Sequence, residues 1–240
     1  MSGHSKWATI HRKKGLIDAA RGKVFQKLAK EIYVAAKQGT PDPDANPSLR
    51  LVVEKAKAAN MPKDNIQKAI DKAKGASDNE HYDVVRYEGY GPAGTAFMVD
   101  CLTDNRNRTA SFVRSTFTKH GGNLGTDGSV SYLFDRVGLI EIPSDYDEDE
   151  VMMTSLDAGA LDMEKLDESY MITTKPEDFI KVKDALANMG VAEFLTSEVT
   201  YVAQNEVEVD DETREKVEKL YELLEDIDDV QNVYCNIKEN

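Results

Sequence analysis

The chain has 240 residues, of which 40% are hydrophobic, and a formal net charge of −14. This hydrophobic content suffices for packed cores, so the composition excludes a disordered protein. The two cysteines, Cys101 and Cys235, lie far apart, which excludes a disulfide framework and a zinc pattern. No apolar run approaches transmembrane length, and no apolar segment follows the charged N-terminus. We therefore expect a cytoplasmic protein that does not bind membranes.

The charges are divided unequally along the chain. Residues 1–75 contain 16 Lys and Arg against 7 Asp and Glu, a net of +9, whereas residues 76–240 have a net charge of −23. An asymmetry of this size indicates that the first segment meets a polyanion while the second does not. The alternative is a chance excess of lysine on solvated helices.

The basic excess begins in GHSKWATIHRKKG at residues 3–15, which we call the arm. A solvated basic arm can lie along a phosphate backbone and release counterions. Its single tryptophan offers a stacking surface for an unpaired base, and the alternative is an anchor in a core. The arm and the residues just after it contribute these candidate nucleic-acid contacts: Lys6, Trp7, His11, Arg12, Lys13, Lys14, Arg21 and Lys23.

Three helices are predicted in the rest of the basic segment, at about 17–38, 47–60 and 62–75. Apolar residues recur at helical spacing in the first helix. Asn46 followed by Pro47 is a good start signal for the second. Three helices joined by short connections predict a bundle, a packing that helix-turn-helix proteins share with ordinary small bundles.

Lysines recur on the outer faces of these helices. In the first helix they follow each other at offsets of four, three and seven residues, and in the third helix two of them lie one turn apart. Such a face gives affinity and position on a polyanion, not base reading. The first helix contributes Lys23, Lys27, Lys30 and Lys37, of which the first three are candidate contacts. The third helix contributes the candidates Lys68 and Lys72.

The acidic remainder predicts mixed α/β structure. In chain order, we expect strands at 82–90 and 95–102, a helix at 107–120, a loop at 121–129 and a strand at 130–134. The inward side of the helix is predicted to consist of Phe112, Val113, Thr116 and Phe117.

Residues 137–202 predict the order β-α-β-β-α-β, which is the ferredoxin-like pattern, and a helix at 211–225 and a strand at 230–237 follow it. The pieces before and after this pattern are each too small for a good sheet, so we expect them to pair with each other. The predicted fold class is α+β multidomain. Its domains are a helical head at 1–78, a discontinuous mixed α/β domain at 79–135 plus 204–240, and a ferredoxin-like insert at 136–203.

The sequence holds no pattern typical of a catalytic or metal site, so we expect no enzyme activity, cofactor or metal. GGNLGTDG at 121–128 lacks the lysine of a phosphate-binding Walker loop and follows a helix, so a helix end with a wide turn is favoured. DYDEDE at 145–150 lacks the glycine and glutamate of a calcium loop, and acidic residues at a helix start explain it. An enzyme that uses the cleft between the domains, with a small ligand near 105–108 or 121–129, is the remaining alternative.

The stretch TDNRNRTAS at 103–111 is a second candidate contact. It follows a predicted strand and opens a helix, whose first N–H groups suit an anion. Arginines at a helix start oppose the helix dipole, which indicates a purpose beyond stability. The alternative is a capped turn with solvated arginines. The candidate residues here are Asn105, Arg106, Asn107 and Arg108.

Several longer motifs resemble the YebC/PmpR family, and together they span essentially the whole chain. They are GHSKW near the N-terminus, RGKVFQKL at 21–28, KAANMPKDNI at 57–66, YEGYGPAG at 87–94, LTDNRNRTAS at 102–111, GGNLGTDGSVSYLF at 121–134 and VAQNEV at 202–207.

The resemblance implies a helical head, a mixed α/β domain and a ferredoxin-like domain inserted into it. Family members are usually described as probable transcriptional regulators that bind DNA, whereas mitochondrial relatives activate translation and bacterial members are linked to the ribosome. We therefore expect a nucleic-acid-binding regulator, with promoter DNA as the first target and ribosomal RNA as the alternative. Partners from the transcription machinery or the ribosome, and self-association, are further expectations.

Overall fold

The computed structural model describes residues 18–75 and 81–238, and the side chains from residue 22 onward within those ranges. The arm and the side chain of Arg21 lie outside the described residues, so the predictions made for them stay predictions. The described part is an α+β fold with seven α-helices and two antiparallel sheets.

The head consists of the three predicted helices, which are confirmed as α1 (Asp18–Gln38), α2 (Pro47–Ala58) and α3 (Lys63–Gly75). Asn46 caps α2, because its Oδ1 accepts the N–H of Leu49 at 3.1 Å while proline occupies the first helical position. The apolar stripes of the three helices meet in one core, whose buried members include Leu28, Ile32, Leu49, Val53, Ile66 and Ile70.

Twelve further elements follow the head. In chain order they are β1 (Asp83–Tyr90), β2 (Ala96–Thr103), α4 (Arg106–Lys119), β3 (Asn123–Leu124), β4 (Phe134–Pro143), α5 (Glu148–Ala158), β5 (Ala160–Lys165), β6 (Ser169–Thr174), α6 (Phe179–Met189), β7 (Thr196–Ala203), α7 (Asp211–Glu225) and β8 (Val230–Cys235).

The first sheet has the order β3-β1-β2-β8, so its strands come from two separate parts of the sequence. Its strands carry alternating side chains, and those of one face pack against α4 and α7. The buried residues of this layer include Phe97, Val99, Val113, Phe117, Leu220 and Tyr221. The first sheet and its core therefore combine residues that precede the second sheet in the sequence with residues that follow it.

The second sheet has the order β5-β6-β4-β7, and α5 and α6 cover one of its faces. Along residues 134–203 the elements follow as strand, helix, strand, strand, helix and strand, as predicted. Gly159 and Gly190 end the two helices with φ of +108° and +114°, a backbone region that suits glycine.

Three local predictions are wrong. Residues 130–134 were expected to form a strand, but Ser131–Leu133 form a short 3₁₀ helix and β4 begins only at Phe134. The predicted loop at 121–129 contains the short strand β3. Phe112 was expected to point inward and is 54% exposed, because the buried side of α4 is centred on Val113 and Phe117, and Thr116 is only half-buried.

The head contacts both sheets. Helix α2 lies beside β7, and Glu54 on α2 accepts a hydrogen bond from Lys183 Nζ of α6 at 2.8 Å. On α1, Tyr33 and Val34 are buried together with Leu102 of β2. These contacts hold the basic helices against the acidic remainder of the chain.

Candidate nucleic-acid interface

The start of α4 is built by the NRNRT segment. Asn105 is the N-cap, and its Oδ1 accepts the N–H of Arg108 at 3.0 Å. Arg106 Nε donates to Asp83 at 2.9 Å, and Asn107 is exposed. The guanidinium of Arg108 pairs at 2.8 Å both with Asp104 and with Asp229, which lies in the connection between α7 and β8.

Asp229 is the centre of this region, although only 6% of it is exposed. Arg108 Nη2 lies 2.8 Å from its Oδ2, and Lys30 Nζ of α1 lies 3.3 Å from its Oδ1. The hydroxyls of Thr109 and Thr103 lie 2.7 and 3.4 Å from Oδ2. One buried carboxylate thus joins the head to the second candidate contact, and we call this arrangement the Asp229 junction.

The junction keeps Asp229 ionised. Burial alone would raise the pKa of its carboxyl group, but the hydrogen bonds from Arg108 and Thr109 and the charge of Lys30 outweigh burial, so the pKa lies below its ordinary value. The carboxylate is therefore a fixed negative charge in the middle of a group of cations.

The other lysines of α1 that we predicted as contacts meet the end of α7. Lys23 Nζ pairs with Asp226 at 2.7 Å, and Lys27 Nζ donates to the backbone carbonyl of Glu225 at the same distance. A cation at a helix C-terminus is favoured by the helix dipole. Burial lowers the pKa of Lys27, opposed by the carboxylates nearby, whereas the hydrogen bond to Asp226 raises the pKa of Lys23.

A chain of aromatic contacts leads from the junction to α3. Lys30 Nζ lies 5.3 Å from the ring centroid of Tyr82, and this ring meets Tyr33 edge to face at 5.9 Å. Lys72 and Lys37 lie 5.2 and 5.8 Å from the ring centroid of Tyr33. Two tyrosine rings and Asp229 therefore link cations of α1, α3 and α4 in one chain of contacts.

The structure links three of the nine described candidates to one another. Lys30, Lys72 and Arg108 are linked through the junction and the tyrosines, and Lys23 and Lys27 lie further along α1. Lys68 is exposed on α3. The sequence reading missed Asp229 and the two tyrosines, although the acidic run EDIDD at 225–229 after a helix was a signal for a partner of the lysines.

A carboxylate of the protein itself binds the end of the glycine-rich loop at 121–129. Glu88 of β1 is buried, and its carboxylate accepts the N–H groups of Gly128, Val130 and Ser131 at 2.8 to 2.9 Å. Burial would raise the pKa of Glu88, but these three hydrogen bonds lower it below its ordinary value. Glu88 therefore occupies the N–H groups at the end of this loop, which agrees with the expectation of a structural turn.

A cleft of about 640 Å³ lies between the head and the first sheet. Arg86 and Asp100, which line it, form a two-bond ion pair at 2.6 and 3.0 Å. Burial raises the pKa of Cys101, also at the cleft, to about 12, so its thiol is not a nucleophile at neutral pH. Neither of the loops proposed for a small ligand, 105–108 and 121–129, lines this cleft.

Within residues 18–75 and 81–238, no three His, Cys, Asp or Glu side chains are grouped so as to hold a metal ion. In the same part of the chain, no helix combines the length and apolar character needed to cross a membrane.

Comparison with known proteins gives full-length matches. The model of the TACO1/YebC N-terminal domain matches residues 5–76, and the model of the TACO1/YebC second and third domain matches residues 82–237. The chain belongs to the TACO1/YebC family. The resemblance inferred from the motifs is thereby confirmed over residues 5–76 and 82–237.

Curated relatives carry a regulatory description. The chain is 54% identical to a protein of Geobacillus kaustophilus over 243 aligned positions, covering 100% of this chain and 98% of the relative, which is named "Probable transcriptional regulatory protein GK2594". A Lactobacillus acidophilus protein, "Probable transcriptional regulatory protein LBA0733", is 55% identical, with 98% of this chain and 97% of the relative covered. These relatives support a regulatory role for the family.

A solved structure has the same fold. The crystal structure of the conserved hypothetical protein Aq1575 from Aquifex aeolicus matches with a TM-score of 0.84 at 47% identity, and 98% of each chain is covered. The α+β arrangement of this chain is thus similar to that of a family member along nearly its whole length.

Proposed function

We propose that this protein regulates gene expression by binding nucleic acid through the arm and the basic surface of the head. The observation that carries the proposal is the Asp229 junction, which joins cations of α1 and α4, together with Lys72 of α3 on the neighbouring tyrosine, in a chain with net charge −14. Cations from several elements around a common centre suit a phosphate backbone. The proposed chemistry is binding without catalysis or a cofactor.

The surface suits either nucleic acid. Contacts to phosphates position a protein without reading base sequence. Promoter DNA is the first target, because the curated relatives are named transcriptional regulatory proteins. Ribosomal RNA is the second candidate, because the candidate cations are spread over three helices and do not form one recognition helix aligned for a major groove.

The proposal includes the division of labour along the chain. Residues 1–78 are the binding head, residues 79–135 plus 204–240 form the central unit, and residues 136–203 form the ferredoxin-like insert. The pairing of β8 with β2 supports this division, because it joins the two parts of the central unit across the insert. The acidic units are expected to limit non-specific wrapping and to offer surfaces for a partner protein.

The test is a salt series on the full-length protein and on a variant with Arg12, Lys13 and Lys14 changed to Gln. Fluorescence anisotropy measures binding to duplex DNA and to a ribosomal RNA fragment between about 50 and 200 mM salt. If all three cations contact phosphates, the slope of log K against log salt on duplex DNA becomes shallower by about 2 to 3 in the variant.

The preferred polymer then decides between the two targets. A form lacking residues 1–15 should reproduce the shallower slope. If the full-length protein binds neither polymer at low salt, the basic head is a protein-docking surface and the proposal is wrong.

A further inference from the structure

The outward face of α4 carries two neighbouring rows of side chains without a carboxylate. Positions separated by four, three and four residues lie on one side of an α-helix. The first row is Arg108, Phe112, Ser115 and Lys119, and the second row is Asn107, Ser111, Arg114 and Thr118. All eight are exposed except Ser115, which is half-buried.

Phe112 is unusual in this position. It is 54% exposed, whereas Val113 and Phe117 on the other side of the same helix are fully buried. A single exposed apolar residue is ordinary on a protein surface. Here, however, the ring stands in a row whose ends are both cationic, with Arg108 one turn before it and Lys119 two turns after it.

The charge of α4 differs from that of its surroundings. Four cations and no carboxylate occupy its 14 residues, within a segment that has a net charge of −23 from residue 76 onward. In the part of the chain that the structure describes, Arg114 and Lys119 form no ion pair. Solvated cations beside an exposed ring complement a ligand that has both negative charge and flat apolar faces.

Unpaired nucleotides have this combination. A base stacks on an aromatic side chain, and the phosphates on either side contact cations. A duplex keeps its bases stacked inside, so the ring of Phe112 would add nothing to duplex binding. The two rows span about 16 Å of helix, since each residue adds about 1.5 Å.

We infer that the outward face of α4 binds unpaired nucleotides of single-stranded nucleic acid, with Phe112 stacking on a base. Arg114 and Lys119 contact phosphates, and Arg108 connects this face to the Asp229 junction, to which it is bound at 2.8 Å. The inference rests on the proposed function and adds to it the form of nucleic acid that is recognised.

The experiment measures binding of the full-length protein to a labelled unstructured RNA, to DNA of the same sequence and to the corresponding duplex. Phe112→Ala removes the ring, Phe112→Trp keeps a stacking surface, and Lys119→Glu reverses one charge. Leu161→Ala is the matched apolar control, because Leu161 is also 54% exposed. Lys175→Glu is the charge control on an exposed lysine outside α4.

We expect Phe112→Ala to weaken binding to both single strands at least about five-fold and to leave duplex binding unchanged. Phe112→Trp should bind like the parent. Lys119→Glu should weaken binding and make the salt slope on single strands shallower by about 0.7. Both controls should bind like the parent.

Two results would overturn the inference and leave the proposed function in place. In one, the parent binds nucleic acid and the α4 variants bind equally well, so the face serves another partner such as an acidic peptide. In the other, Phe112→Ala weakens duplex and single-strand binding alike, so the ring has a structural role only. If the parent binds none of the three nucleic acids, the proposed function fails as well.

Discussion

Replacing Asp229 by alanine should destabilise the protein far more than its charge alone suggests. The side chain is 9% exposed and accepts contacts from Arg108, Lys30 and Thr109. Its removal takes the carboxylate partner from Lys30, leaves Arg108 with its second carboxylate, Asp104, and takes the nearest acceptor from the buried hydroxyl of Thr109. Because Asp229 joins α1 to α4, the change also loosens the head from the first sheet.

The magnitude follows from the exposure of each partner. Breaking a fully buried ion pair costs about 3 to 5 kcal/mol, but the side chains of Arg108 and Lys30 are 42% and 20% exposed and can be partly hydrated instead. The hydroxyl of Thr109 keeps its contacts to Thr103 and to the Asn105 carbonyl, which reduces its own loss. We expect the free energy of unfolding to fall by about 2 kcal/mol.

The assay is thermal unfolding followed by circular dichroism at neutral pH. For a chain of this size, 1 kcal/mol corresponds to about 2 to 4 °C, so the Tm of Asp229→Ala should fall by about 4 to 8 °C. The matched control is Asp226→Ala, which removes the ion pair with Lys23 at a site where both side chains are about half exposed or more. An exposed pair contributes about 0.5 kcal/mol, so the control should lose at most about 2 °C.

Equal Tm values for the two variants would refute the reasoning, because they would mean that the buried carboxylate contributes no more than a solvated one. A double-mutant cycle with Arg108→Ala separates the pair itself from the loss of the carboxylate.

Three further outcomes follow from other parts of the structure. Glu88→Gln should lower the Tm at neutral pH. The folded-state pKa of Glu88 lies below its ordinary 4.5, so the carboxylate stabilises the fold above about pH 4.5. This stabilisation is lost as the pH falls through the folded-state pKa. The Tm values of parent and variant should therefore converge in acid. Gly138→Ala should cost about 1 to 3 kcal/mol in urea unfolding, because its Cβ would lie 2.3 Å from Thr174 Oγ1, whereas Gly22→Ala meets nothing within 4 Å and should cost nothing. Both buried cysteines, whose pKa values burial raises to about 12, should react with a thiol reagent at neutral pH only after unfolding; rapid labelling of the native protein would contradict this.

Local signals were enough to predict the helices and most strands. The Asn46–Pro47 pair predicts the start of α2, and the structure has the cap hydrogen bond that this pair implies. The alternating strands around the turn at Gly91 were likewise visible, because both pair along their length as β1 and β2. In these places the sequence neighbours of a residue determine its conformation.

Long-range contacts account for what could not be predicted. Residues 130–134 have strand-forming composition, but Glu88, 42 residues before Val130, takes the N–H groups of Val130 and Ser131. Phe112 and Val113 are adjacent apolar residues, and only the packing of α4 on the first sheet decides which one is buried.

Long-range contacts also limited what could be predicted of the candidate site. The sequence identified Lys30 and Arg108 as separate candidates, and it could not show that both meet Asp229, which lies 199 and 121 residues away from them. Charge composition predicts which segment is basic, whereas the identity of the internal partner depends on the tertiary fold.

The acidic residues at and just after the end of α7 also affect how strongly nucleic-acid binding depends on ionic strength. The salt dependence of nucleic-acid binding arises because a protein cation that neutralises a phosphate releases the cations condensed on that phosphate. Lys23, Lys30 and Arg108 already have carboxylates of the same chain as their counter-ions. One of these cations can neutralise a phosphate only if the phosphate displaces the carboxylate, which breaks an ion pair inside the protein. The slope of log K against log salt should therefore count mainly the cations of the arm and of α3, because the cations around Asp229 are held by carboxylates of the same chain.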